Sequence, residues 1–185
     1  MDIEVAQRCL GEVDIQALSA AILAQKPEAW HEQLIRQQTY EVHKDTESIV
    51  MLFCDEEWPE GEIYREAGWD RLSDVAMPLI DHIIDTYYPP GGTLLRAMAA
   101  KLKVQGRISP HRDKLRSFHI GHRIHVPITT NLSVRYTISG KPYQFEVGKA
   151  YEINNQKLHS VMNMGNEDRI SFIFDYVPAD KLVSS

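Results

Sequence analysis

The chain has 185 residues, of which 43% are hydrophobic and 25% are charged, and its formal net charge is −6. This length is enough for one domain with its own hydrophobic core, and the composition excludes a disordered or fibrous protein. The acidic total argues against nucleic acid and anionic membranes as partners, because both bind basic surfaces. It still allows a local basic patch.

The two cysteines, Cys9 and Cys54, lack C-x-x-C pairing and zinc-type spacing. A disulfide between them stays open, although Cys54 follows an apolar run and is more simply a buried small side chain. The N-terminal sequence MDIEVAQRCLGEVD is acidic and lacks the regions of a signal peptide. No apolar run approaches the roughly 20 residues that span a bilayer. We therefore expect a reduced, cytoplasmic protein with a single domain over residues 1–185.

Helical periodicity is found over residues 14–38. Asp14 is placed to cap a first helix, whose apolar stripe comprises Ile15, Leu18, Ala21 and Ile22. Pro27 suits the first turn of a second short helix, which would carry Trp30, Leu34 and Ile35. We expect these two helices to cover the rest of the fold.

Residues 46–92 combine a strand with a longer helix. The run TESIVMLF at residues 46–53 is β-branched and apolar and predicts a strand. An acidic loop follows, and helical periodicity then returns over residues 70–87. The apolar side of that helix comprises Leu72, Val75, Ala76, Leu79, Ile80, Ile83 and Ile84. The sequence YPPGG at residues 88–92 ends it. Residues 1–92 are thus expected to be mainly helical support.

From residue 93 onwards, short β-rich segments alternate with turns. The candidate strands are residues 93–102, 123–129, 134–138, 143–147, 150–153 and 170–176. The candidate hairpin turns are Ser-Gly-Lys-Pro at residues 139–142 and Glu-Val-Gly-Lys at residues 146–149. Many short strands at close spacing predict a sandwich or barrel. The expected fold is α+β, with an N-terminal helical layer against a double-sheet β core over residues 93–178.

Five of the eight histidines lie between residues 111 and 159. His111 and Asp113 occupy positions i and i+2 at the end of an extended segment, so both side chains point the same way. His159 follows an Asn-Asn turn at the end of another strand. Two imidazoles and one carboxylate leave three octahedral positions open, which suits iron(II) with a bidentate oxo acid and dioxygen. Each element alone is more often a surface or hydrogen-bonded feature.

Arg169 lies ten residues after His159 and enters the apolar strand ISFIF. An unpaired buried charge is costly, so a buried Arg169 needs an anionic partner. Its guanidinium could bind a carboxylate such as the distal one of 2-oxoglutarate with two hydrogen bonds. The alternatives are an ion pair with Glu167 or Asp168, or a solvated side chain.

Three stretches of the sequence resemble the aspartyl/asparaginyl β-hydroxylase family of 2-oxoglutarate-dependent oxygenases, especially its small bacterial and phage members. They are MAAKLKVQGRISPHRD, HRIHVPITTN and VGKAYEINNQKLHSVMNMGNEDRISFIFDY, in the family's order and spacing. The resemblance covers about two-fifths of the chain. It implies a double-stranded β-helix, a cupin-like jelly roll, in agreement with the strand-rich half.

The resemblance also implies roles for individual residues. His111, Asp113 and His159 match the iron ligands, and Arg169 matches the residue that binds the 5-carboxylate of 2-oxoglutarate. Arg123 and His125 match the basic pair beside its 1-carboxylate end. The animal member of the family has glycine in place of Asp113 and a serine where Ala100 falls. The implied cofactors are iron(II), 2-oxoglutarate and dioxygen, although zinc or nickel could occupy the same ligands.

Two regions keep open alternatives. The segment KLRSFHIGHRIH at residues 114–125 is either a lid or a solvated loop. As a lid it would contact a substrate carboxylate through Arg116, His119, His122 or Arg123. Five residues could either line a pocket mouth or pack inside the fold, namely Tyr40, His43, Asp45, Trp58 and Trp69.

The predicted function is hydroxylation of an amino acid or of an Asp/Asn-type peptide residue, with release of succinate and CO2. The expected partner is that small amino acid or peptide, with no nucleic acid or membrane, and the oligomeric state stays open. The alternatives are a metal-binding cupin-type isomerase or hydrolase and a non-catalytic jelly roll that binds a small ligand. Arg169 argues against the isomerase or hydrolase, which has no reason to hold a carboxylate there. The non-catalytic jelly roll would instead predict a thermal stability that does not depend on metal.

Overall fold

The computed structural model describes residues 4–34 and 41–182, so Ile35 and Tyr40 lie outside the described residues. Eleven strands in this part of the chain form two antiparallel sheets. The strands are β1 (Gln7–Glu12), β2 (Thr46–Cys54), β3 (Ile63–Arg65), β4 (Thr93–Leu102), β5 (Arg107–His111), β6 (His122–Thr129), β7 (Val134–Ile138), β8 (Lys141–Tyr143), β9 (Lys149–Ile153), β10 (His159–Asn163) and β11 (Arg169–Val177).

The larger sheet has the order β1-β9-β6-β11-β4-β2-β3, and the smaller one has the order β5-β10-β7-β8. A hydrophobic cluster that draws on both sheets lies between them and includes Leu102, Tyr136, Tyr151 and Val161. The larger cluster lies on the other face of the seven-stranded sheet, where helices pack on it. Two facing antiparallel sheets with a helical layer on one side form a jelly roll, as predicted.

Two helices, α1 (Gln16–Leu23) and α2 (Gly68–Tyr87), lie where the apolar periodicity predicts them. The second predicted short helix is only a 3₁₀ turn at Pro27–His31, and Leu34 lies beyond it. Three short elements were not predicted, namely a 3₁₀ turn at Glu41–His43, α3 (Arg116–Ile120) and α4 (Ala179–Leu182). Asp14 accepts a hydrogen bond from the Gln16 backbone N–H at 2.9 Å, and Pro27 opens its 3₁₀ turn. Gly68 begins α2 where a Cβ atom would lie 2.3 Å from the Val50 carbonyl oxygen, so only glycine fits there.

The β structure does not begin at residue 93. β1, β2 and β3 all belong to the larger sheet, so residues 1–92 supply three of its strands as well as helices. β1 was not predicted because its sequence, QRCLGE, is polar and contains a glycine. Its strand conformation comes from antiparallel pairing with β9, which no local pattern reveals.

The predicted strand over residues 143–147 is wrong. The chain turns at Ser139 and Gly140, both with positive φ, so β8 already pairs with β7 over Lys141–Tyr143. Beyond Tyr143 the Glu146 N–H donates to the Tyr151 hydroxyl at 3.1 Å instead of joining a ladder. The turn before β9 lies at residues 147 and 148, within the predicted range.

Cys9 is exposed and Cys54 is buried, and both are free thiols. The simpler prediction for Cys54, a small buried side chain, is therefore confirmed. Within residues 4–34 and 41–182, no helix is both long enough and apolar enough to cross a membrane.

Candidate metal centre and co-substrate pocket

His111 and His159 lie side by side on adjacent strands of the smaller sheet. His111 ends β5, His159 begins β10, and the two are directly paired in the antiparallel ladder. Their ring centroids lie 4.3 Å apart. Asp113 follows two residues after His111, where its backbone N–H donates to the Asn155 carbonyl at 3.1 Å. One ligand atom from each of the three residues lies within 4.8 Å of the other two.

The two histidines are oriented through their Nδ1 atoms. These lie 2.8 Å from the Ser109 carbonyl in His111 and 3.0 Å from the Lys157 carbonyl in His159. The tautomer that donates to these carbonyls leaves Nε2 of each ring free to bind a metal. Burial, together with His111, lowers the pKa of His159 against the opposing charge of Asp113. The neutral form, which binds metals, is therefore favoured. This donor set fits iron(II).

Arg123 holds the Asp113 carboxylate in place by a hydrogen bond to one of its oxygens. The guanidinium donates to Asp113 Oδ2 at 2.8 Å and to both Asp175 oxygens at 2.8 Å. Burial opposes its charge, but Asp175 and Asp113 outweigh that and raise the pKa of Arg123. Asp113 Oδ1 lies 3.7 Å from His111 Nε2. The carboxylate thus has one oxygen on the arginine and the other towards the histidine.

A row of alternating charges continues behind the triad. Asp175 on β11 lies directly opposite Arg96 on β4 and Arg123 on β6. Arg96 is only 2% exposed, and its Nη1 lies 3.4 Å from Asp175 and 3.1 Å from the Ser117 hydroxyl. Arg96, Asp175 and Ser117 were not among the residues that the sequence predicts for the site. Charged residues inside apolar strands were the available signal, since a buried charge requires a partner.

Arg169 begins β11 and lines a narrow inner pocket with His159, His125, Tyr136 and Ala100. The pocket holds about 50 Å³ and shares His111, Arg123 and Ile173 with a larger cavity. The same pocket is lined by Arg123 and His125, the two residues that the family resemblance matches to the 1-carboxylate end of 2-oxoglutarate.

The environment of Arg169 excludes both alternatives for its side chain. It is 4% exposed, so it is not solvated. In the described part of the chain no carboxylate pairs with it, and the Asp168 carboxylate instead accepts the Val104 N–H at 2.8 Å. Burial lowers the pKa of Arg169 to about 10, opposed only by Tyr136. A buried guanidinium without a counter-charge carries a desolvation cost that a bound anion such as a carboxylate would offset.

Ser171 is a second polar group that the sequence analysis missed. It lies two residues after Arg169 on β11, so both side chains point to the same face. Its hydroxyl is fully buried, and no described residue hydrogen-bonds to it. Ser171 pairs with Ala100, the position where the family's animal member has serine, so a hydroxyl is present on the adjacent strand instead. The R-x-S spacing at the start of an apolar strand was the available signal.

The larger cavity, of about 420 Å³, opens beside His111 and Asp113. Of the five possible mouth residues, His43 lines it, with its ring edge-on to His111 at 6.0 Å. Asp45 instead accepts the Arg107 N–H at 3.0 Å. Trp58 is buried against Cys54, and Trp69 packs against Arg65. Tyr40 lies outside the described residues.

The segment after Asp113 was predicted to be either a lid over the site or a solvated loop, and its residues differ in which of these they fit. Lys114 lines the larger cavity, and α3 follows it. Arg116 pairs with Glu60 at 3.6 Å, and His119 is exposed. His122 lies on the opposite face of the sheet, where its Nδ1 is 2.6 Å from buried Glu152. It therefore does not face the cavity.

Comparison with known proteins connects the chain to a family. The sequence profile described as Aspartyl/Asparaginyl beta-hydroxylase matches residues 16–178. No curated protein sequence matches the chain at a significant level.

Solved structures share the fold at low sequence identity. An oxidoreductase of the 2OG-Fe(II) oxygenase family from Burkholderia pseudomallei aligns with a TM-score of 0.62 and 10% identity, over 94% of this chain and 85% of that one. HygX from Streptomyces hygroscopicus, with nickel, 2-oxoglutarate and hygromycin B bound, aligns with a TM-score of 0.53 and 10% identity, over 94% and 83%. The viral collagen prolyl hydroxylase of Paramecium Bursaria Chlorella virus-1, in complex with 2OG, aligns with a TM-score of 0.52 and 9% identity. The alignment covers 95% of this chain and 97% of that one.

These structural similarities concern the fold, whereas the profile covers most of the sequence. A cupin-type isomerase or hydrolase and a non-catalytic jelly roll are thereby set aside. The chain belongs to the aspartyl/asparaginyl β-hydroxylase family and is a hydroxylase that uses iron(II), 2-oxoglutarate and dioxygen.

Proposed function

We propose that this oxygenase hydroxylates an amino acid, free or as an Asp/Asn-type residue of a peptide, at a centre held by His111, Asp113 and His159. One observation carries the proposal. His111, Asp113 and His159 have ligand atoms within 4.8 Å of one another, and His111 and His159 line the same pocket as Arg169, a buried guanidinium that no described carboxylate neutralises. A dianionic co-substrate that bridges the ligands and Arg169 supplies the missing negative charge.

In this proposal Arg169 binds the 5-carboxylate of 2-oxoglutarate with its planar pair of N–H donors. The Ser171 hydroxyl is a second donor on the same strand face. Burial raises the pKa of Tyr136, so this residue of the inner pocket keeps its phenolic proton and can donate it. Arg123 and His125 contact the 1-carboxylate end. Arg123 retains N–H donors for this, because Asp113 and Asp175 use three of its five.

Iron(II) bound by the triad supplies the redox chemistry that couples loss of CO2 from 2-oxoglutarate to oxidation of a substrate C–H bond. The chain's own part is to hold the reactants in place and exclude water. Arg123 fixes the Asp113 carboxylate, and the backbone carbonyls of Ser109 and Lys157 fix the two imidazoles. The buried inner pocket keeps the co-substrate away from bulk solvent.

The test measures succinate formed from 2-oxoglutarate with iron(II) under air. We expect His159→Ala to reduce turnover to the background without protein, because a centre with one imidazole and one carboxylate holds the metal weakly. The matched control is His82→Ala on the exposed side of α2, which should behave as the wild type. A weak visible band on anaerobic addition of iron(II) and 2-oxoglutarate reports the complex independently of turnover. Undiminished turnover in His159→Ala would contradict the ligand assignment.

A further inference from the structure

Asp113 lies on a stretch of chain that belongs to no strand. β5 ends at His111 and α3 begins at Arg116, so the irregular segment between them carries the candidate carboxylate ligand. Arg123 holds one oxygen of that carboxylate, but the position of a side chain also depends on the backbone from which it extends. The contacts of this backbone therefore decide how well the ligand is placed.

The turn before β10 supplies these contacts. In this ligand turn (residues 154–157), the Asn155 carbonyl accepts the Asp113 N–H at 3.1 Å. The side-chain amide of the next residue, Gln156, donates to the Asp113 carbonyl, also at 3.1 Å. The peptide groups on both sides of the Asp113 Cα atom are thus hydrogen-bonded to two adjacent residues of one turn.

The ligand turn also orients His159. The Nδ1 atom of His159 lies 3.0 Å from the Lys157 carbonyl. The turn is itself held together at Asn154, whose Oδ1 accepts the Gln156 N–H and whose carbonyl accepts the Lys157 N–H, both at 3.1 Å. Four consecutive residues therefore position two candidate ligands that are far apart in the sequence.

The Gln156 amide reaches three oxygen atoms. Besides the Asp113 carbonyl, its Nε2 lies 3.2 Å from the Phe118 carbonyl on α3 and 3.1 Å from Asn155 Oδ1. Because the amide has two N–H groups, one of them is shared between two acceptors. Phe118 lines the larger cavity, and its ring centroid lies 4.4 Å from the Arg123 guanidinium carbon. One neutral group thus joins the segment that carries Asp113, the ligand turn and the cavity wall.

We propose that Gln156 is a positioning residue for the metal centre. Its amide fixes the Asp113 backbone relative to His159, just as Arg123 fixes the Asp113 carboxylate. This inference rests on the proposed function, since it takes Asp113 and His159 as ligands. A set of ligands that is already in place binds its metal more tightly, because less conformational freedom is lost on binding. Loss of the amide should therefore weaken metal binding more than it weakens the fold.

The first experiment compares zinc affinity with stability in Gln156→Met, which keeps the length of the side chain but removes both N–H donors. Calorimetric titration of the metal-free protein should show zinc binding weakened about tenfold. This is the lower end of the range for partners of metal ligands, because Arg123 still holds the carboxylate. The thermal midpoint of metal-free Gln156→Met should fall no further than that of the control, Gln144→Met.

Gln144 is a matched control because its amide also donates to two backbone carbonyls, those of Leu132 and Val134, at 3.4 and 3.3 Å. Val134 begins β7, whereas the other end of that strand pairs with His159. Gln144→Met should therefore bind zinc as the wild type does. Wild-type zinc affinity in Gln156→Met, or an equal loss of affinity in both variants, would overturn the inference.

The second experiment tests whether Gln156 acts through Asp113. In protein that already carries Asp113→Ala, adding Gln156→Met should change the zinc affinity by less than about twofold, because the residue that the amide positions is no longer a ligand. The visible absorption of cobalt(II), which depends on ligand number and geometry, should differ from that of the wild type in Gln156→Met alone. A full tenfold loss in the double variant, or an unchanged cobalt(II) spectrum, would contradict the positioning role.

The two levels of proposal fail differently. If His159→Ala and Asp113→Ala bind zinc as tightly as the wild type, the ligand assignment is wrong, and the role of Gln156 falls with it. If both lose affinity while Gln156→Met does not, only the role of Gln156 is wrong. Should Gln156→Met fail to fold, Gln156→Asn takes its place in every comparison, because its shorter side chain keeps an amide but withdraws it from the Asp113 carbonyl.

Discussion

The two faces of the seven-stranded sheet come from the same strands but have opposite chemistry. On β11, Phe172 and Phe174 point to the helix-covered face, whereas Arg169, Ser171 and Asp175 point between the sheets. The first face is an apolar layer under α1 and α2, apart from buried Glu152, which pairs with Arg8 and His122. The second carries buried ion pairs between Arg96, Asp175 and Arg123, and Arg169, which no carboxylate of the described residues neutralises.

This difference separates stability from function within single strands. The helix-covered face buries apolar surface, the main favourable contribution to folding. The inner face buries charges, whose desolvation offsets much of what their pairing contributes. Substitutions on the first face should therefore change the free energy of unfolding without changing ligand binding, whereas those on the second should change ligand binding as well.

The largest expected effect on stability is at Phe172, which is fully buried on the helix-covered face. Phe172→Ala should lower the free energy of unfolding by about 3–5 kcal/mol, because it leaves a cavity under the helices. Chemical denaturation measures this loss. The zinc affinity of the folded protein, followed by calorimetry, should stay at the wild-type value. A comparable loss of metal affinity would show that the two faces are not separable.

Asp175 tests the inner face. Asp175→Asn keeps the shape but removes the charge that neutralises Arg96 and Arg123, so unfolding should become easier by roughly 1.5–3 kcal/mol. Arg123 then holds Asp113 less firmly, and the zinc affinity should fall about 10–100-fold, as for other groups that orient metal ligands. Asp81→Asn on the exposed side of α2 is the control. Unchanged zinc affinity in Asp175→Asn would refute the positioning role of Asp175.

The sequence predicted the features that depend on local pattern. Alternation along strands placed His111 and Asp113 on one side, and helical periodicity located α2 almost to the residue. The family's spacing then added His159 and Arg169, which are close to these residues only in the folded chain. His111, His159 and Arg169 line the inner pocket, and Asp113 lines the larger cavity beside it.

Features that depend on pairing between distant strands were not predictable. Asp175 meets Arg123 because β11 and β6 align in a register that shifts between Ile170 and Ser171, and no local pattern encodes that shift. β1 is likewise a strand only because it pairs with β9. The partners of a buried charge therefore had to come from the structure, even where the charge itself stood out in the sequence.

The smallest expected change in stability, and one of opposite sign, is at Arg169. Its pKa of about 10 in the folded protein is below the ordinary value of an arginine, so the buried charge destabilises the folded state at pH values below 10. That cost decreases as the pH rises above about 10, because the charge is then lost first in the folded state. Arg169→Met should therefore leave the free energy of unfolding at pH 8 unchanged or raise it by about 1 kcal/mol without 2-oxoglutarate.

The same variant should lose the stabilisation that 2-oxoglutarate gives the zinc-loaded wild type in thermal unfolding, because it lacks the cation that binds the 5-carboxylate. Zinc alone should still stabilise it, since none of the three ligand residues is altered. Arg169 would then be a residue whose charge costs stability in the free protein and is offset only by the co-substrate. A marked loss of stability in ligand-free Arg169→Met would instead make Arg169 a structural residue, and the inner face would then resemble the helix-covered one.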